Sequence, residues 1–251
     1  DKDVIVTSPS LGVAEFNESA ENAFNIWPHD SVGTKGLASF AINRGWTKAG
    51  VFSNQNPWES AQAKVFRDEF ARLGGTIVAA VEPLAEMKDL RTEALQIVSA
   101  KPDVVFMSNY TQMDVAAKDL RRLGYSGEKM AILMDNTRLE NSEGALDGTI
   151  YAIYPDGGTN FAERYMTRFG ESPGIAADTG YDAVHLYARA VEAAGSFRVE
   201  EVRRRLESIR HSGASGEIVF DGKRGVVKEP VFWSVKNSQR VPLDMESTPN
   251  I

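Results

Sequence analysis

The sequence predicts an α/β protein built on a doubly wound parallel sheet. Short β-rich runs alternate with helical segments of about ten to fifteen residues along the chain up to residue 160. The run 103–107 is almost wholly apolar, as in strands covered on both faces. Glycines punctuate the helical patterns where stops are needed, at Gly45, Gly74-Gly75 and Gly124. Strands joined through helices in this way form right-handed βαβ units.

Taken in order, 4–7 reads as a strand ending in Ser8-Pro9-Ser10, and 31–44 as a helix carrying Leu37, Phe40 and Ala41. Residues 49–53 form a strand. The helix 58–73 places Ala63, Phe66, Phe70 and Leu73 on one face. A strand at 76–81 and a helix at 90–100 follow, the latter expected to turn Leu95 and Val98 inward. The unit repeats with strand 103–107, helix 112–123, and strands 130–134 and 149–153. Beyond residue 158 the style changes. Helices are expected at 161–169, 176–194 (Leu186 and Val191 inward) and 199–209, then two strands around turns at 216–220 and 231–235. Residues 244–251 read as a polar tail.

Composition narrows the function. The 251 residues include 42% hydrophobic and 25% charged side chains, an ordinary globular balance. With 28 basic against 35 acidic residues the net charge is −7, so no long-range field steers the chain to nucleic acid. The run Arg203-Arg204-Arg205 lies among Glu200, Glu201 and Glu207 and reads as a solvated helix face. There is no cysteine, hence neither a disulfide framework nor a thiolate metal site. His29, His185 and His211 have no partners at metal spacing. Neither a nucleophile elbow nor a phosphate loop is present. The reading is therefore a non-catalytic chain that needs no metal or cofactor. Sequons occur at Asn17 and Asn109.

Ligands of open α/β sheets sit beyond the carboxyl ends of the strands. That rule selects the stretches 8–12, 53–58, 108–111 and 135–137. Their candidates are Ser10, Leu11, Trp58, Ser108, Asn109, Tyr110, Thr111, Asp135 and Asn136. Aromatic walls with hydroxyl and amide tips suit a small polar or amphipathic ligand. For Asp135 the bland alternative is a helix cap, and for Trp58 packing at a helix start.

Several segments, in this order, carry a resemblance. They are Thr7-Ser8-Pro9-Ser10, the stretch from Phe24 to Asp30, Lys48 to Asn54 followed by Trp58-Glu59, and Phe70 to Gly75. Lys101-Pro102-Asp103-Val104-Val105-Phe106, Gly180-Tyr181-Asp182-Ala183-Val184 and Gly216 to Asp221 complete the series. Together they resemble the type I periplasmic solute-binding proteins of ABC transporters, in the branched-chain amino acid (Leu/Ile/Val)-binding family. The resemblance implies two doubly wound lobes closing on an amino acid-like ligand, delivery of that ligand to a membrane permease, and a periplasmic or extracellular location. It assigns 1–22 and 157–229 to lobe one, and 23–156 with 230–243 to lobe two. It puts Trp58 where the family usually has Tyr, and Glu59 where it has Gly. Tyr110 falls in a second contact cluster, and Asp135 or Asn136 at the position of an acid that pairs with a ligand ammonium. Family members open with further strands of lobe one. The resemblance therefore implies that an upstream segment or a second chain completes that lobe here. A sensory ligand-binding domain is the main alternative function, and an α/β enzyme of unknown reaction the second.

Overall fold

The computed structural model describes residues 3–155, 157–158 and 160–243. The chain divides into two compact units, a smaller one from Asp1–Asp30 and Tyr154–Glu229 and a larger one from Ser31–Ile153 and Pro230–Ile251. The smaller unit opens with β1 (Val6–Ser8), α1 (Ala14–Glu18) and β2 (Ala23–Pro28). The larger follows with α2 (Asp30–Asn43), β3 (Lys48–Phe52), α3 (Pro57–Arg72), β4 (Thr76–Val81), α4 (Arg91–Ser99) and β5 (Val104–Met107). After a 3-10 turn at Tyr110–Gln112 come α5 (Met113–Arg122), β6 (Glu128–Ile132), α6 (Asn136–Asn141) and β7 (Ile150–Ile153). The chain returns to the smaller unit with α7 (Phe161–Phe169), α8 (Ala177–Ala194), α9 (Val199–Ser208), β8 (Arg210–Gly213), β9 (Gly216–Val219) and β10 (Gly225–Val226). It re-enters the larger with β11 (Val231–Lys236) and β12 (Gln239–Pro242). Residues 244–251, expected as a tail, lie outside the described residues.

The larger unit carries a seven-stranded sheet in the order β12-β11-β7-β6-β5-β3-β4. Strands β4, β3, β5, β6 and β7 run parallel, and β11 and β12 add an antiparallel edge. From β3 the chain steps to one side for β4 and to the other for β5, so the topological switch point lies between β3 and β5. Every residue of β5 is buried. Its alternating side chains feed two layers, as the period of two requires. Val105 and Met107 pack with Ile97 and Leu120 in one cluster. Phe106 stacks on Phe66 of α3 with ring centroids 4.2 Å apart, and Phe66 stacks on Phe70 at 5.3 Å.

One helix face differs from the expectation. α4 buries Leu90, Ala94 and Ile97, while Leu95 is 53% exposed and Val98 is only partly buried. The i, i+4, i+7 stripe starting at Leu90 turns Leu95, one residue past Ala94, about 100° away from the sheet.

The smaller unit has a three-stranded sheet, β1-β2-β10, with β2 paired in parallel on both sides, and a separate antiparallel hairpin β8-β9. All of β2 is buried, with Phe24 and Ile26 joining Leu186, Val202, Leu206 and Ile218 in its core. This corrects the boundary expected between residues 22 and 23. The stretch from 23 to 30 is not a lead into the larger lobe but belongs to the smaller unit. Asn25 breaks the apolar pattern, yet its Nδ2 donates to the carbonyls of Leu11 and Val13, so the strand tolerates it. The two late strands also part company. Residues 216–219 pair with β8, whereas β11 pairs with β7 and β12.

Helix α8 turns Leu186 inward but leaves Tyr181, Tyr187 and Val184 exposed, Val184 at 71%. Helix α7 buries no residue. Among the described residues, no helix is long and apolar enough to cross a membrane.

Candidate functional site

The loops at the carboxyl ends of β3, β5 and β6 are built from polar residues that bind one another. After β3, Asn56 caps α3: its Oδ1 accepts from Trp58 N at 3.0 Å and Glu59 N at 3.4 Å, with Pro57 opening the first turn. Asn54 Oδ1 accepts from Asn56 N at 3.0 Å, and its Nδ2 donates to Thr111 Oγ1 at 2.9 Å and Gln112 Oε1 at 3.3 Å. The loop after β3 is thus tied across the switch point to the loop after β5.

In the second loop, Ser108 N and Asn109 N both donate to Phe52 O, at 2.9 and 3.3 Å. Ser108 and Asn109 are fully buried, Tyr110 is half-buried and Thr111 exposed. The Tyr110 hydroxyl donates to Asp135 Oδ2. Burial, reinforced by that hydrogen bond and the nearby carboxylate, pushes the Tyr110 phenol above its usual range. In the third loop Leu133 adopts the left-handed conformation, with φ of 64°. Asp135 then caps α6, Oδ1 accepting from Arg138 N at 2.8 Å. The capping role weighed for Asp135 is real, and it coexists with the bond to Tyr110. Each oxygen keeps lone-pair capacity for a further donor. Asn136 is exposed.

Arg138 Nη1 donates to Thr111 O and to Asp114 Oδ1, both at 2.8 Å, and its guanidinium lies 5.9 Å from the Tyr110 ring centroid. Glu59, fully buried, accepts from Thr111 N at 3.0 Å. Burial raises the Glu59 carboxyl above its ordinary range, while hydrogen bonds from Thr111 and Asn54 and the Arg138 charge pull it back. Sequence reasoning did not count Glu59, Arg138 or Asn54 among the candidate site residues. The signals were Asn56-Pro57 followed by an acid at the third helical position, and an arginine three residues after Asp135.

The structure therefore brings Trp58, Ser108, Asn109, Tyr110, Thr111, Asp135 and Asn136 to one edge of the larger unit's sheet. Trp58 is half-buried in the first turn of α3. Ser10 and Leu11 belong to the smaller unit, in the loop after β1, where Leu11 N donates to Ser8 Oγ at 3.1 Å. Among the described residues, buried Ser108 Oγ, Asn109 Oδ1 and Nδ2, and Glu59 Oε2 have no protein hydrogen-bond partner. Leaving such atoms unsatisfied costs about 1–3 kcal/mol each; these four lie at one sheet edge, and others, such as Arg44 Nε and the Tyr151 hydroxyl, lie elsewhere. Among the described residues no group of three His, Cys, Asp or Glu is placed to hold a metal ion. Both sequon asparagines are fully buried, and Asn17 Nδ2 already donates to Lys223 O at 2.9 Å, so neither side chain is open to a glycan in the folded chain.

A family model described as periplasmic binding protein matches residues 1–235. The chain belongs to the periplasmic binding protein family. Several solved structures share the architecture. Leucine binding protein LivK from Thermotoga maritima MSB8 gives a TM-score of 0.88 at 22% identity, over 96% of this chain and 73% of that one. An ABC transporter substrate-binding protein from Desulfitobacterium hafniense, in complex with Leu, gives 0.74 at 20% identity, over 96% and 73%. A solute-binding protein from R. palustris, in complex with benzoate, gives 0.82 at 16% identity, over 94% and 69%. At these identities the likeness speaks for the fold. No curated protein sequence matches the chain. The family is that of periplasmic binding proteins, and the fold is the one shared with the three solved structures.

Proposed function

We propose that the chain is a solute receptor of an ABC transporter, which captures an amino acid or a related amphipathic solute outside the cytoplasmic membrane and hands it to the permease. The observation that carries this reading is the cluster of buried, unpaired polar atoms of Ser108 and Asn109 beside Tyr110 and Asp135 at the switch-point edge. In this reading Trp58 and Tyr110 form an aromatic wall, and Asp135 receives the ligand ammonium through a charge-assisted hydrogen bond. Ser108, Asn109 and Thr111 line the polar end with Asn136, while Ser10 and Leu11 are candidate ligand contacts of the smaller unit by itself.

A thermal-shift screen of L-amino acids, their amides and benzoate tests it. A ligand at a hundred times its dissociation constant stabilises the folded state by about 2.7 kcal/mol. Tyr110→Ala should weaken the compound that shifts the parent by roughly ten-fold or more while leaving unfolding of the free protein nearly unchanged. If no compound shifts the parent, the receptor reading fails, and unchanged affinity in the variant removes Tyr110 from the site.

We also propose that the smaller unit is completed by further strands, from an upstream segment or a second chain. Strand β1 is an open sheet edge carrying exposed Val6, and α8 presents exposed Tyr181, Val184 and Tyr187. An open edge and an uncovered apolar helix face are what additional strands would cover. The protein isolated from its own cells should contain such a polypeptide and bind little hydrophobic dye. A native protein consisting of the 251-residue chain alone, with these faces bare to the dye, would sink the proposal.

A further inference from the structure

We infer that Glu59 is a positioning residue whose buried carboxylate holds the loop after β5, and with it Tyr110, in the geometry the site requires. This rests on the ligand-binding reading of that loop. Glu59 is the third residue of α3, the position from which a glutamate usually folds back to the N–H of its own N-cap residue. Here Asn54 Oδ1 already accepts that N–H, from Asn56 at 3.0 Å. Glu59 is thereby released to reach across the switch point, where Oε1 accepts from Thr111 N at 3.0 Å.

On the other side of the same residue, Arg138 Nη1 donates to Thr111 O at 2.8 Å. The N–H of Thr111 is therefore gripped by a buried anion and its C=O by a cation. Asp114 Oδ1 steadies that cation at 2.8 Å, and Arg138 N is in turn held by Asp135. Tyr110 stands immediately before this grip, with its hydroxyl fixed on Asp135. A loop ordered in advance does not have to be ordered at the moment of binding, and this lowers the entropic cost of capture. The bland alternative is that Glu59 only complements the positive N-terminus of α3, as any acid in a first turn does.

The two roles separate by geometry. Glu59→Asp keeps an acid in the first turn but withdraws the carboxylate by one methylene from Thr111. Glu59→Gln gives up the charge but keeps an oxygen within reach. Amide hydrogen exchange of the ligand-free full chain reads the clamp directly. Glu59→Asp and Glu59→Ala should speed exchange at Thr111 by roughly ten-fold or more relative to core amides, and Glu59→Gln should restore most of the protection. Where the parent binds L-leucine, its affinity should fall in the same order. Unchanged Thr111 protection in Glu59→Asp overturns the inference, even if Glu59→Ala fails to fold. A parent that binds no leucine bears on the receptor reading alone, because the exchange result stands without ligand.

Discussion

Asp182→Ala will lower the stability of the smaller unit by about 4 kcal/mol, because one buried carboxylate there organises a whole turn. Asp182 lies in α8 and is completely buried. Oδ1 accepts from Ala214 N at 2.9 Å, and Oδ2 accepts from Ser215 N and Ser215 Oγ, each at 2.7 Å. These are the residues joining β8 to β9, so the carboxylate fastens the hairpin to the helix. Truncation deprives buried donors of their acceptor as well as deleting a bond, and the lost desolvation compensation is the larger share. The close approach also explains Gly213, where a Cβ would meet the Asp182 carboxyl group. Urea unfolding should show a transition at clearly lower midpoint, and the amides of Ala214 and Ser215 should lose protection. Asp182→Asn retains one acceptor and should lose less. A variant with parental stability would mean that the hairpin is held elsewhere.

Phe66→Ala is the matching expectation for the larger unit, with a loss of about 4 kcal/mol. Phe66 is fully buried and lies between Phe106 of β5 and Phe70 of its own helix, stacked on both. Deleting the ring removes its transfer energy and leaves a cavity between two aromatic faces fixed to a strand and a helix, which cannot close on it readily. Phe66→Leu, which fills part of the space, should recover part of the loss. The measurement is again denaturant unfolding, with the change carried by the transition of the larger unit. A loss below 1 kcal/mol would show that α3 shifts to refill the gap.

Much of this architecture was legible because apolar pattern and punctuation agreed. The strand at 76–81 and the helix at 161–169 occupy the residues their patterns marked, and the carboxyl-edge rule found the three loops that interlock. What escaped has local causes. Strand β2 contains Asn25 and ends in Pro28, and its pattern makes sense only once the Leu11 and Val13 carbonyls are beside Asn25. Strand β10 is two residues long, and β8 and β12 are too polar to signal by hydrophobicity. Glu59 was seen as a departure from a family glycine, but its partner Thr111 is distant in sequence and only the fold joins them. Asp135 showed its acid in the sequence but not that both oxygens already serve the protein.

The way the chain threads its two sheets also fixes the order in which they can be finished during synthesis. Strand β7 is made before any residue of the returning segment 154–229, yet its outer neighbour β11 comes only after all of it. Until residues 231–236 emerge, the parallel sheet ends in a naked β7 edge, a template for pairing with other chains. Neither sheet can close before the chain has been made past residue 224, since β2 likewise waits for β10. A chain threaded in this way gains from being kept from pairing with other chains until β11 and β10 have been made. It is also poorly suited to being cut at residue 153 and expressed as a separate larger half.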